Sequence, residues 1–105
     1  MALVSIVVPV YHNAGSLEDL HAEFQALASR RPGDEFEFVY VDDGSRDASL
    51  QVLRAIQRKD GRARVVKLSR NFGSNAALLA GLSAARGEAI AAIAADLQDP
   101  PALIG

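Results

Sequence analysis

The chain has 105 residues, half of them apolar, with 11 basic and 13 acidic side chains, a formal net charge of −2 and no cysteine. This balance excludes a polybasic nucleic-acid-binding surface, an acidic tail, disulfides and thiolate metal centres, and the length allows one domain or part of one. The start, Met1-Ala2-Leu3-Val4-Ser5, has neither the basic stretch nor the cleavage site of a secretory signal, and no apolar run reaches the ~20 residues of a membrane span. A cytoplasmic protein is therefore expected, one that can still work at the cytoplasmic face of a membrane.

Leu3–Val10 is apolar and β-branched on both faces, as a buried parallel strand requires. Asn13-Ala14-Gly15 is a turn, and Ser16 with Asp19 reads as a capping box with a shortened acid. Leu17, Leu20, Phe24, Leu27 and Ala28 recur at helical spacing until Arg31-Pro32-Gly33-Asp34 stops the helix. His21 lies within this helix and is expected at its surface. Glu37–Val41 is the second strand and runs into Asp42-Asp43-Gly44-Ser45. Asp47 is the expected N-cap of a second helix that carries Val52, Leu53 and Ile56 inward and closes at Asp60-Gly61. The basic stretch Arg58–Arg64 reads as a solvated helix end and loop. Val65–Leu68 is a short third strand, followed by the loop Ser69-Arg70-Asn71-Phe72-Gly73. A third helix puts Leu78, Leu79, Leu82 and Ala85 on one side and stops at Gly87, with Arg86 complementing its dipole. The fourth strand runs from about Ala89 to Ala94, where small residues let helices approach the sheet closely. The order βαβαβαβ predicts an α/β, Rossmann-like parallel sheet with right-handed crossovers and helices on both faces.

Carboxylates gather at the strand ends. Asp42-Asp43 follows the second strand, and Ala94-Ala95-Asp96-Leu97-Gln98-Asp99-Pro100-Pro101 continues from the fourth. Both sets fall at the carboxyl edge, where open α/β sheets bind ligands. Asp96 and Gln98 offer two side-chain oxygens, which suit a hard divalent cation, Mg²⁺ or Mn²⁺, with positions left for diphosphate oxygens. Asp42 or Asp43 can accept from a base N–H or a ribose hydroxyl. Adjacent carboxylates point differently, so one at most faces a given ligand atom, and the same residues also suit a turn. Tyr11 can stack on a base or pack on a helix. His12 can touch ligand or metal, although a lone loop histidine is more commonly solvated. Arg70, after the third strand, can approach a nucleotide. No G-x-G-x-x-G follows the first strand, so no glycine cradle holds phosphates there. The positions of the acids also exclude a receiver domain, whose acids follow the first and third strands.

Taken together, several strings resemble the family 2 glycosyltransferases of GT-A fold. They are Val7-Val8-Pro9-Val10-Tyr11, Val41-Asp42-Asp43-Gly44-Ser45-Arg46-Asp47, Leu68-Ser69-Arg70-Asn71-Phe72-Gly73, Ala76-Ala77-Leu78-Leu79-Ala80-Gly81-Leu82 with Ala85-Arg86-Gly87, and Ala95-Asp96-Leu97-Gln98-Asp99-Pro100-Pro101. The branch most similar includes dolichol-phosphate mannosyltransferase and bacterial undecaprenyl-phosphate sugar transferases. The resemblance implies the nucleotide-binding half of a GT-A fold, a UDP- or GDP-sugar donor and inverting transfer to a polyprenyl or dolichyl phosphate in the cell envelope. It implies that Pro9 and Tyr11 line the base and ribose pocket, with Arg70 and Asp96 also on the nucleotide. Asp42 and Asp43 would approach the base, the second more directly, and Asp96 with Gln98 would stand at the metal-binding end of the family's Asp-x-Asp motif.

Ala94 stands where that motif begins with Asp, which weakens the expected hold on metal, and His12-Asn13 replaces the common Asn-Glu. The family's general base and lipid-facing segments come beyond Gly105, so the catalytic residue is unknown. The chain is expected to be the N-terminal part of a larger domain, truncated after the Asp-x-Asp-like motif and inactive in transfer by itself. The alternative is a non-catalytic nucleotide-sugar-binding fragment. A cut sheet edge at the fourth strand is expected to favour self-association.

Overall fold

The computed structural model describes residues 3–93, the Ser74 side chain excepted. Four strands alternate with three helices: β1 (Leu3–Val10), α1 (Leu17–Ser29), β2 (Glu35–Asp42), α2 (Ser49–Lys59), β3 (Ala63–Lys67), α3 (Ser74–Ala84) and β4 (Ala89–Ala92). Every strand pairing is parallel, in the order β3-β2-β1-β4. The chain winds outward from β1 through β2 to β3, then returns across the sheet to set β4 on the other side of β1. Such a reversal opens a crevice at the carboxyl ends of the strands.

Alternation along β1 divides the core. Ile6, Val8 and Val10 join Phe38, Tyr40, Leu17, Leu20, Phe24 and Leu53 under α1 and α2. Val7, Val39 and Val41 face Ala77 of α3 on the opposite side. The rings of Phe24 and Phe38 stack at 5.4 Å, so an aromatic slab fills the first layer.

The α3 face differs from the hydropathy reading. Ala77 is buried, whereas Leu79 is 64% and Leu82 is 38% exposed. The reason is close approach: a Cβ on Gly81 would overlap the Val7 side chain. Small residues therefore form the centre of the inward stripe; Leu78 and Ala85 pack against it as expected, and Leu79 and Leu82 fall outside it. The helix ends at Ala84, with Ala85 as its C-cap, and not at Gly87. Gly87 instead lies against β1, where a Cβ would come within 2.5 Å of Ser5 Oγ.

Other boundaries also move. β2 begins at Glu35 and β3 spans Ala63–Lys67, because Leu3 pairs with Glu35 and Phe38 with Ala63. β4 is described to Ala92, as the edge of the described sheet; Ala94 lies outside the described residues. The expected capping box is not formed: Ser16 makes no side-chain cap bond, and its hydroxyl donates to the Asn13 carbonyl at 3.2 Å. Asp47 takes the Ser49 N–H at 2.9 Å, one position before the cap residue Ala48.

Two buried polar networks lie outside the expected pattern. His21, expected at the surface, is 5% exposed. Its Nδ1 accepts from the Tyr40 hydroxyl at 2.6 Å, and its Nε2 faces Asp60 Oδ2 at 2.9 Å. Burial lowers the His21 pKa despite the Asp60 carboxylate, so the ring is neutral and its Nε2–H donates to Asp60. Burial alone would raise Asp60, yet the Arg62 guanidinium, the Arg62 backbone N–H and His21 hold it far below the usual carboxylate range.

On the other face, Glu37 accepts from Ser5 Oγ, from the Arg86 N–H at 2.6 Å and from Arg64 at 3.1 Å. Arg64 also donates to the Ala84 carbonyl at 2.7 Å. The cation that serves the end of α3 is thus Arg64 rather than the expected Arg86. Arg62 and Arg64 are likewise paired, not merely solvated.

Candidate functional site

Three strand ends lie in a row: Val10 pairs with Asp42, and Asp42 with Lys67. The loops leaving these ends enclose an open cleft of about 440 Å³ whose lining includes Tyr11, Asp42, Ser45, Arg46, Lys67 and Arg70. Tyr11 is 43% exposed at its rim. Pro9, half-buried opposite Val41, does not line this cleft.

The two adjacent acids divide their work. Asp42 lines the cleft, and its Oδ1 takes the Ser45 N–H at 3.3 Å. Both acids are buried, Asp42 at 1% and Asp43 at 3% exposed, and Asp43 turns toward the loop after β3. Its Oδ1 accepts the Phe72 N–H at 2.8 Å; its Oδ2 accepts the Gly73 N–H and the Asn71 side-chain amide, each at 3.1 Å. A carboxylate offers about four lone-pair directions, so three loop donors leave it little capacity for a ligand. The expectation that Asp43 meets the base more directly than Asp42 therefore gives way to a different placement. Asp42 faces the cleft, and Asp43 holds the loop that carries Arg70.

The turn that follows them needs glycine. Gly44 has φ +72°, and a Cβ there would collide with the Arg70–Asn71 peptide. The two loops are packed backbone to backbone. The Arg70 guanidinium lies over the Phe72 ring at 4.8 Å, which holds the cation at the rim.

Opposite, the His12 N–H donates to Ser45 Oγ at 3.0 Å, and His12 Nε2 accepts the Arg46 N–H at 3.0 Å. Its ring stacks on Tyr11 with centroids 3.9 Å apart. His12 thus makes its contacts within the protein and is not merely solvated.

Asp96 and Gln98, the expected metal ligands, lie outside the described residues, as does the nucleotide role expected of Asp96. Among the described residues no cluster of three or more His, Cys, Asp or Glu can hold a metal. Ser45, Arg46 and Asn71 line the cleft without having been singled out from the sequence, and Lys67, one of the basic residues that the sequence puts nearest the strand ends, joins them. The strings around Asp42 and Arg70 contained Ser45, Arg46 and Asn71, but their backbone partners carry no sequence signal. No helix among the described residues is long and apolar enough to cross a membrane.

Among curated proteins, the chain is 49% identical over 100 residues to the undecaprenyl-phosphate 4-deoxy-4-formamido-L-arabinose transferase of Pseudomonas paraeruginosa, covering 94% of this chain and 29% of that protein. It is 40% identical to the uncharacterized glycosyltransferase YkcC of Bacillus subtilis, covering 95% of this chain and 31% of that protein. The chain thus spans about three-tenths of the length of these relatives. Among solved structures, the mannosyltransferase PcManGT of Pyrobaculum calidifontis, in complex with GDP-Man and Mn²⁺, superposes with TM-score 0.80 at 23% identity, over 94% of this chain and 33% of that one. S. aureus TarS 1-349 in complex with UDP-GlcNAc gives 0.75 at 28% identity, over 89% and 26%. The parallel sheet and its helices have the architecture of the GT-A glycosyltransferases. Residues 5–105 match Glycosyl transferase family 2, and the chain belongs to that family.

Proposed function

We propose that the cleft at the ends of β1, β2 and β3 binds the nucleoside diphosphate of a sugar donor, and that the protein transfers the sugar, with inversion, to a polyprenyl phosphate. The carrying observation is the convergence of Tyr11, Asp42, Lys67 and Arg70 on one open cleft. An aromatic ring suits a flat base. A carboxylate accepts from base N–H groups or ribose hydroxyls, and cations suit a diphosphate. The UDP-GlcNAc and GDP-Man complexes of similar structures support this reading of the donor, and the undecaprenyl-phosphate transferases among the relatives support that of the acceptor.

Asp96 and Gln98 are the proposed seat of a Mg²⁺ or Mn²⁺ ion, completed by diphosphate oxygens. Such an ion, when bound, neutralises charge on the departing diphosphate. No general base is assigned. With a polyprenyl-phosphate acceptor, the proposed place of the reaction is the cytoplasmic face of a membrane.

Calorimetric titration of the chain with UDP- and GDP-sugars plus Mn²⁺ tests the proposal. Arg70→Ala is expected to weaken binding about tenfold, the value of one charge-assisted contact. Metal affinity is expected to be weak without nucleotide, stronger with it, and stronger again in Ala94→Asp. Unchanged binding in Arg70→Ala, or equal metal affinity with and without nucleotide, contradicts the proposal.

A further inference from the structure

We infer that His12 is a positioning residue: it fixes the Tyr11 ring at the cleft and ties the loop after β1 to the loop after β2. Its bearing on ligand binding rests on the nucleotide reading above; its hold on Tyr11 does not.

His12 is the one non-glycine among the described residues with positive φ, at +56°. That conformation costs a histidine free energy that glycine or asparagine would largely avoid. Such strain persists only where the surroundings over-determine it, and it concentrates at ligand clamps. Here three contacts hold the residue. Its N–H donates to Ser45 Oγ and its Nε2 accepts the Arg46 N–H, both across more than 30 residues of sequence. With Nε2 in the acceptor role, the donor nitrogen of the ring is Nδ1.

The third contact separates histidine from its cheaper alternatives. The imidazole lies on the Tyr11 ring, 3.9 Å between centroids and 22° from parallel. Tyr11 is half-exposed, and without a brace its ring would exchange among rotamers. Asparagine at position 12 would relax the backbone but supplies no ring. One imidazole thus does two things: its edge clamps the Arg46 peptide, and its face braces Tyr11. With one face of Tyr11 taken by His12, a base has the other.

The test uses the 105-residue chain with His12→Asn, Tyr11→Leu and the double variant. It reads melting temperature, affinity for whichever of UDP and GDP binds wild type more tightly, and the NMR shifts of the His12 carbon-bound ring protons. His12→Asn is expected to melt no lower than wild type yet to bind nucleotide about fivefold more weakly, the scale of a lost aromatic pair. In the Tyr11→Leu background the same change is expected to alter affinity less than twofold. In wild type the His12 ring protons are expected upfield, under the Tyr11 ring current, returning to ordinary positions in Tyr11→Leu. Equal losses in both backgrounds, an unchanged affinity in His12→Asn, or ring-proton shifts that ignore Tyr11→Leu would overturn the inference. If neither nucleotide binds wild type, the proposed function falls, and the ring-proton shifts alone decide for or against His12.

Discussion

Asp43→Ala is expected to weaken nucleotide binding by more than about 30-fold, although the side chain faces away from the cleft. Removing the carboxylate strips the acceptor from the Phe72 and Gly73 N–H groups and from the Asn71 amide. Each orphaned donor costs about 1–3 kcal/mol where water cannot replace the partner. The loop then leaves its seat on Gly44 and takes Arg70 with it. Asp43→Asn is expected to behave almost as badly, because its NH₂ group would face other donors. Amide hydrogen exchange separates this role from direct contact with ligand. Without nucleotide, the Phe72 and Gly73 amides should lose protection in Asp43→Ala. Unchanged protection in the free protein would mean that Asp43 does not hold the loop.

The second large effect lies at the other end of the sheet. Glu37→Ala is expected to cost about 3 kcal/mol, at the lower end of the range for breaking a buried ion pair because Arg64 can turn partly to water. Ser5, the Arg86 N–H and Arg64 all converge on this carboxylate, and Arg64 is 34% exposed. A domain of this size should then melt about 15 °C lower. Glu37→Gln should lose less, since it keeps one acceptor. Burial alone would raise the Glu37 carboxyl, but its bonds to the Arg86 N–H, Ser5 and Arg64 hold it below the ordinary 4.5. Its contribution is therefore present above pH 4.5 and is lost as pH falls from there toward the lowered value. Thermal melts of wild type and both variants from pH 7 to pH 3 check this. A loss below about 1 kcal/mol for Glu37→Ala would show the network to be dispensable.

The sheet was legible because its strands are continuous apolar runs; Leu3–Val10 needs no correction. The strand-end acids were legible for the same reason, since a run that breaks into Asp-Asp-Gly-Ser must end at the carboxyl edge. What escaped was decided by distant partners. His21 reads as a polar residue on a helix, but Tyr40 and Asp60, 19 and 39 residues on, bury it. Leu79 and Leu82 of α3 read as part of its core face, but the close approach of Gly81 and Ala77 to the valines of β1 and β2 leaves them outside it, while Leu78 packs at its edge. Asp43 reads as a ligand acid, but its partners are mostly backbone N–H groups, which every sequence has. The positive φ of His12 has no signature at all, because a turn residue there would be asparagine or glycine.

The most direct test is residue-resolved. A ¹⁵N–¹H titration of the chain with UDP and with GDP, in the presence of Mg²⁺, should shift amides of residues 11–13, 42–46 and 67–73, which surround the cleft. Shifts confined to the groove beside β4, at Val4, Phe36 and Ile90, or no shifts with either nucleotide at millimolar concentration, would contradict a nucleotide site at the ends of β1, β2 and β3.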